Sequence, residues 1–217
     1  TDDRPKVMVE VEGRPLLSYH LDWLQANRAS EAILLTGYLS EVIEDYFGDR
    51  TPQGLVLHYI TEPEPLGRGG ALRLGLESVP PKDDVIIATN GDVITDIRYG
   101  ELLDFHTRHA ATATMAVRLH EWQHPFGVVQ TQGVKIIGFE EKPIARSHIN
   151  AGVYALDPAA LSVLTADAHC DMPTLFERLQ AKEKRTVAYP MHEPWLDVGQ
   201  PDDLAAARSN QASIKNP

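Results

Sequence analysis

Two short apolar runs constrain this chain more than any other feature: Glu31-Ala-Ile-Leu-Leu-Thr36, closed by Gly37, and Asp84-Val-Ile-Ile-Ala-Thr89, closed by Asn90-Gly91. Neither alternates polar with apolar residues, so a strand made from either must be covered on both faces, the condition of a central parallel strand in an α/β sheet. The covering helices are written beside them: Leu17, Leu21 and Leu24; Leu39, Val42, Ile43, Tyr46 and Phe47; Leu72, Leu76 and Val79; Leu102, Leu103 and His106. Each set repeats at three to four residues, the period of one helix face. With Leu55 to Ile60 as a further strand, this alternation predicts a doubly wound, mostly parallel sheet through about residue 110.

The texture then becomes β-rich, with strands expected at Thr112 to Val117, Phe126 to Gln130, Val134 to Phe139 and Ile149 to Leu156, and a turn at Gln132-Gly133. This predicts an extension of the sheet of mixed direction. Asp157-Pro158, Asp171-Met-Pro and Pro201-Asp-Asp-Leu read as helix starts, since Asp caps well and Pro suits the first helical turn. A strand carrying Trp195 to Val198 precedes the last of these, and the tail after Ala207 reads as frayed. At 217 residues the chain is expected to be one α/β domain with two halves, about 1–110 and about 111–200.

Charge narrows the partners. A formal net charge of -11 repels nucleic acid and anionic lipid, so neither is expected as a partner. No apolar run approaches the ~20 residues that cross a bilayer, and Thr1-Asp2-Asp3-Arg4-Pro5 is no signal region, so a soluble protein is expected. The single cysteine, Cys170, excludes an internal disulfide and fits a cytoplasmic setting. A phosphate ligand on so acidic a chain must be held by local cations, backbone N–H groups or a metal.

Several segments place suitable groups. Asn90-Gly91-Asp92 follows a buried strand at its C-terminal end, where open α/β sheets bind ligands, although the same tripeptide also makes an ordinary turn. Asp197, in Trp195-Leu196-Asp197-Val198-Gly199, is a second acid at an apolar strand end, or a cap for the helix near Pro201. Brought together, Asp92 and Asp197 offer hard oxygen ligands for Mg²⁺ alongside substrate phosphates. Leu66-Gly67-Arg68-Gly69-Gly70 opens a helix, so its N–H groups either meet an anion or base edge or serve a flexible entry loop. Lys6, after Pro5, and Lys142, in Glu140-Glu141-Lys142-Pro143, are compact cations in unusual settings, and Asn150, before Ala151-Gly152, either reads hydroxyls or finishes a turn.

In sequence order, Pro5-Lys6, Gly13-Arg14-Pro15-Leu16-Leu17, Pro65 to Gly70, Asn90-Gly91-Asp92, Phe126-Gly127-Val128-Val129, Glu141-Lys142-Pro143, Asn150 to Tyr154 and Trp195 to Gly199 resemble the motifs of the sugar-1-phosphate nucleotidyltransferases. The resemblance implies a Rossmann-like sheet flanked by helices with a β-rich sugar-binding part, and substrates that are an NTP and a sugar 1-phosphate. It implies that Lys6 contacts nucleotide phosphates, that the Leu66 to Gly70 loop with Asn90 and Gly91 holds the nucleotide, and that Asp92 and Asp197 hold Mg²⁺. It assigns Gly127, Glu141 and Asn150 to the sugar and Lys142 to its phosphate. Glu62 to Ala71 is more similar to the mannose and heptose 1-phosphate guanylyltransferase branch, which favours GTP. A homo-oligomer is also carried as an expectation.

Two departures qualify the resemblance. The family pattern sets a first strand and a loop, roughly G-x-G-T-R-L, just before the segment matching Thr1 to Lys6. Either residues precede Thr1 in the whole protein, or this form lacks its main triphosphate cradle. Arg68 stands where the family's base loop more often has Thr. The appended β-helix domain of some relatives is not expected here. The competing expectations are a metal-dependent nucleotide-sugar glycosyltransferase and a non-catalytic nucleotide-sugar-binding subunit.

Overall fold

The computed structural model describes residues 4–165 and 168–198. After a 3-10 turn at Lys6–Met8, the chain makes β1 (Glu10–Val11), β2 (Arg14–Pro15), α1 (Leu16–Ala26), β3 (Glu31–Thr36), α2 (Ser40–Phe47), β4 (Val56–Thr61), α3 (Gly67–Ser78), β5 (Ile86–Thr89), β6 (Val93–Thr95) and α4 (Tyr99–Arg108). The β-rich part follows as β7 (Ala113–Gln123), β8 (Val128–Gln132), β9 (Lys135–Glu140) and β10 (Ile144–Leu156). A 3-10 helix at Pro158–Val163, α5 (Met172–Ala181), β11 (Thr186–Pro190) and β12 (Trp195–Asp197) complete the described order. The helix start read at Pro201 and the tail after Ala207 lie outside the described residues.

The α/β class holds, and helices flank a mixed sheet. Its four-stranded part has the order β11-β7-β10-β5, with β11 parallel to β7 and β10 antiparallel to both neighbours. β3 and β4 form a separate parallel pair in the register Glu31↔Val56 to Thr36↔Thr61. The core sits where α5 and the 3-10 helix cover β10: Tyr154, Leu156, Leu161, Leu175 and Leu179 are almost wholly enclosed. A second cluster joins Ile97, Leu102, Val153 and Met191 on the other side of the sheet. No helix among the described residues is long and apolar enough to cross a membrane.

Three expectations change. The run 84–89 was expected as a central parallel strand, yet β5 pairs antiparallel with β10 and its other edge has no strand partner among the described residues. β3 is likewise paired on one side only among the described residues. Between them runs a cavity of about 1390 Å³, lined by Ile33 and Leu35 of β3, Ile86 and Ala88 of β5, and Leu17 and Leu21 of α1. That is why residues such as Ile33, Leu34, Ile86 and Ile87 are only half-buried although their sequence is that of strands covered on both faces.

The strands of the β-rich half also run further than the apolar pattern shows, β7 to Gln123 and β10 back to Ile144. Their outer halves, with His120, Glu121, Gln123, Arg146, Ser147 and His148, lack the alternation that marks a half-buried strand and are held by pairing with each other. Lastly, Asp157 makes no capping bond to the 3-10 helix after it. Its carboxylate instead lies 3.1 Å from His106 Nε2, while His106 Nδ1 meets Thr114 Oγ1 at 2.7 Å. This resembles a hydrolytic triad only in composition, because Thr114 is fully buried and no substrate reaches it. Asp171 does cap α5, accepting from Thr174 N at 2.9 Å, and Gly133, with φ +60°, makes the turn from β8 to β9.

Candidate active site

The site is organised by an irregularity in β10. Register with β7 shifts between Asn150 and Tyr154, so Asn150 opposes Val117 but Tyr154 opposes Met115. The bulge is fixed from within: Asn150 Oδ1 accepts from Gly152 N at 2.9 Å, and its Nδ2 donates to the Tyr154 hydroxyl at 2.7 Å. Gly152 has φ +75°, and a Cβ there would stand 2.5 Å from Asn90 Nδ2, so only glycine allows the approach. The Gly152 carbonyl in turn accepts from Asn90 N at 2.8 Å. Asn150 therefore finishes a turn, the plainer of its two sequence readings, and in doing so seats the Asn90-Gly91-Asp92 loop.

The second acid arrives on β12. This strand pairs antiparallel with β6, setting Asp197 opposite Val93, and Val198 N donates to Asp92 O at 2.8 Å. Trp195 fastens the strand to the bulge through its indole N–H, 2.8 Å from Ala151 O. Asp92, half-buried, and Asp197, exposed, thus sit at adjoining strand ends, more than a hundred residues apart in sequence. No group of three or more His, Cys, Asp or Glu suited to a metal occurs among the described residues. Asp92 and Asp197 are the residues that could hold Mg²⁺, an ion that is bound through one or two carboxylates and keeps several waters or substrate phosphate oxygens.

The Gly-rich loop is more committed than its sequence suggests. Gly69 N and Gly70 N both donate to Cys170 O, at 2.9 and 3.1 Å, and Cys170 N donates to Leu66 O at 2.7 Å. Gly67, at φ +68°, has no room for a Cβ, which would meet that same carbonyl at 2.6 Å. The glycines admit the 168–170 segment, and the helix's N–H groups at Gly69 and Gly70 are spent on it. Glu62 serves the loop as well, its carboxylate accepting from Leu66 N at 2.9 Å. What remains open is Arg68, exposed and electrostatically coupled to the Tyr154 phenol. Glu62, Gly67, Arg68, Asn90, Gly91 and Tyr154 all line the large cavity between β3 and β5.

Lys6 is exposed in the first 3-10 turn, and its neighbour Val7 packs on the Asp92 loop: a Cβ on Gly91 would lie 2.8 Å from Val7 Cγ1. Gly127, Glu141 and Lys142 form a second group at the base of the β8–β9 hairpin, with Glu141 Oε2 2.9 Å from where a Gly127 Cβ would be. Lys142 holds a left-handed backbone, φ +45°, and its carbonyl accepts from Gln123 Nε2. The eight-residue step from Lys142 to Asn150, mostly paired strand, measures up to about 26 Å if straight. The two groups are joined by the ribbon of β7 and β10, not by direct contact between Lys142 and the Asp92 loop.

Sequence reasoning missed His20. It lies on the apolar face of α1, only 8% exposed, against the Gly91-Asp92 segment. Among the described residues its Nε2 is buried without a partner. Burial pushes its pKa down to about 4, against the opposing pull of the Asp92 carboxylate and the Gly91 backbone, so the ring is neutral under the Asn90-Gly91-Asp92 loop at neutral pH. The one available signal was a histidine at a position where the helix period calls for an apolar residue.

Residues 1–213 match the family model described as "Nucleotidyl transferase". The chain is 32% identical over 98% of its length to a mannose-1-phosphate guanyltransferase of Yarrowia lipolytica, of which it spans 61%. It is 29% identical over 94% of its length to a D-glycero-alpha-D-manno-heptose 1-phosphate guanylyltransferase of Aneurinibacillus thermoaerophilus, of which it spans 88%. Its fold is that of HddC from Yersinia pseudotuberculosis, solved in complex with GMP-PN: TM-score 0.73, 21% identity, 95% of this chain and 89% of that one covered.

His20 generates a stability prediction. Between pH 6.5 and about 4 the unfolded chain protonates this imidazole and the folded chain does not, so its contribution is intact above pH 6.5 and is lost as pH falls toward 4, by on the order of 3 kcal/mol. Urea unfolding at pH 7 and pH 4.5 should show a markedly flatter pH response in His20→Gln than in the parent, and identical slopes would assign the acid sensitivity elsewhere. With the family model matching residues 1–213 and the curated relatives matching along nearly its whole length, the chain belongs to the nucleotidyl transferase family, that of the sugar-1-phosphate nucleotidyltransferases.

Proposed function

We propose that this protein transfers a guanylyl group from GTP to a mannose-like or heptose 1-phosphate, releasing pyrophosphate and forming a GDP-sugar. The observation that carries the reading is the placement of Asp92 and Asp197 at adjoining strand ends, Asp197 opposite Val93 and Asp92 O bonded to Val198 N, with Asn90-Gly91 beside a cavity also lined by Glu62 and Arg68, in a chain whose relatives include mannose- and heptose-1-phosphate guanylyltransferases. Residues 1–110 serve the nucleotide and 111–200 the sugar phosphate. A cytoplasmic, homo-oligomeric enzyme fits this role.

A phosphate oxygen of the sugar 1-phosphate attacks the α-phosphorus in line. The new Pα–O bond forms as the bond to the β-phosphate oxygen breaks, and pyrophosphate leaves with the electron pair. No covalent enzyme intermediate is required, so this chain contributes position and charge. Mg²⁺, when held by Asp92 and Asp197, neutralises phosphate charge. Lys6, one residue from the Val7 that packs on the Asp92 loop, provides a compact cation for the triphosphate. Leu66, Gly67 and Arg68 face the nucleotide, while Gly69 and Gly70 act by keeping that loop against residues 168–170. Guanine presents adjacent N1–H and N2–H₂ donors, and a Glu62 carboxylate already fixed by Leu66 N has a second oxygen to receive them. Gly127, Glu141 and Asn150 bound the sugar side, and Lys142 reaches its phosphate when the β-ribbon lies across the cavity mouth.

Rates with GTP, ATP, CTP, UTP and dTTP on mannose 1-phosphate, glucose 1-phosphate and a heptose 1-phosphate test the reading. The expected result is pyrophosphate release with clear preference for GTP. Preference for another base retires the guanylyl assignment, release of a nucleoside diphosphate points to a glycosyltransferase, and binding without turnover points to a regulatory subunit. Asp92→Asn and Asp197→Asn should each keep the fold and lose most turnover, because an amide cannot supply the offsetting charge. Near-parent rates in both at limiting magnesium exclude them as its ligands. Lys142→Ala should weaken sugar 1-phosphate binding by about 1.5–3 kcal/mol while leaving GTP binding nearly unchanged, as measured by titration calorimetry. Equal losses for both substrates remove Lys142 from the sugar site.

A further inference from the structure

α1 has one apolar face, and His20 interrupts it. Leu16, Leu17, Leu21 and Leu24 share that face, so the position of His20, four residues after Leu16 and four before Leu24, calls for an aliphatic side chain. The imidazole is nearly as enclosed as its neighbours, 8% exposed against 1% for Leu16 and 2% for Leu21. Among the described residues, its Nε2 is the one side-chain nitrogen or oxygen that is buried in a non-exposed residue and has no hydrogen-bond partner. A leucine would fill much the same space with nothing left to satisfy. The packing of α1 by itself therefore gives no reason for a histidine here, and a buried polar atom without a partner calls for one.

The reason lies in what the ring touches. His20 lies against the Gly91-Asp92 segment and lines the large cavity together with Val7, Asn90 and Gly91. The residues of that loop are not held alike. Asn90 is fixed through its N–H by the Gly152 carbonyl, and Asp92 through its carbonyl by Val198 N. Gly91, between them, has no side chain to hold it and the freest backbone of any residue. Val7 and His20 close on it, Val7 so tightly that a Cβ on Gly91 would stand 2.8 Å from Val7 Cγ1. The valine sets only a steric limit. The imidazole, neutral when buried, carries one N–H that donates and one nitrogen that accepts, so it alone of the two can orient a peptide group.

We propose that His20 is a positioning residue for the metal site, its ring setting the Gly91-Asp92 peptide from beneath and so holding the Asp92 carboxylate in the orientation that Mg²⁺ requires. This role rests on Asp92 and Asp197 as the Mg²⁺ ligands. Residues that hold a ligand in place contribute about 10–100-fold to metal affinity. α1 thereby keeps a polar group that lowers the stability of the fold because the same group orders an acid, a trade-off expected at functional sites.

His20→Leu separates the two effects. It removes the unpartnered nitrogen, so its urea midpoint at pH 7 should equal or exceed that of the parent. Its affinity for Mn²⁺, which like Mg²⁺ takes oxygen ligands in octahedral geometry, should fall roughly 10-fold. Affinity is read from the loss of the free-ion EPR signal as Mn²⁺ is titrated onto the whole protein, with Asp92→Asn as the baseline. In turnover, the Mg²⁺ concentration giving half-maximal rate should rise by a similar factor, with a smaller change in kcat at saturating Mg²⁺. His20→Asn sets an amide near the place of Nδ1 and His20→Gln near that of Nε2, and one of them should recover Mn²⁺ affinity toward the parent value. Parent affinity in His20→Leu, a loss of affinity matched by a lower urea midpoint, or no recovery in either amide variant would each overturn the role of His20. If the parent binds Mn²⁺ no better than Asp92→Asn, the metal assignment itself falls, and this role with it. Should His20→Leu not fold, His20→Met replaces it in each comparison, and failure of both marks the ring as structural, which also overturns the role.

Discussion

The bulge of β10 between Asn150 and Tyr154 is the constraint on which the rest of the site depends. On one side of it, Val153 to Leu156 ladder onto β5; on the other, 144–150 run out along β7 into the exposed arm. The irregular residues between spend their backbone groups on neighbours: the Gly152 carbonyl on Asn90, the Ala151 carbonyl on the Trp195 indole, and Gly152 N on Asn150. A buried carbonyl without a partner costs about 1–3 kcal/mol, so these bonds are mutually enforcing. Through them one local kink fixes a loop and a strand that are remote in sequence, and with them the segments that carry the two acids.

Electrostatics in this molecule are a matter of local exceptions to a global sign. A chain of net -11 has no field that attracts a triphosphate, and its cations are placed singly: Lys6 in the turn that packs on the Asp92 loop, Arg68 at the cavity, Lys142 at the base of the hairpin. His20 completes the pattern by being uncharged. A protonated imidazole beneath Gly91-Asp92 would compete with a metal for the Asp92 charge, and burial prevents that at neutral pH.

Exposure distinguishes the arm from the body. In the body, apolar side chains of α5 and β10 enclose one another almost completely, while the arm shows its apolar side chains to solvent. Both follow from how the sheet is layered: strands covered by helices can bury both faces, and a two-stranded ribbon extending past the last helix has neither face covered.

The sequence by itself determined what depends on neighbours a few residues away. It marked β3 to the residue, set the four helices of the first half, capped α5 with Asp171 and turned β8 into β9 at Gly133. It also singled out Asp92 and Asp197, since an acid at an apolar strand end is locally anomalous whatever the fold. It could not bring them together, because the ladder of β6 and β12 joins residues a hundred positions apart. Nor did it show that the N–H groups of Gly69 and Gly70 are satisfied by Cys170, that Asp157 turns to His106 rather than capping a helix, or that β5 pairs antiparallel with β10. Periodicity reports which face of an element is apolar; which group satisfies a given donor, and which edge a strand pairs, are decided only when distant segments compete for the same backbone.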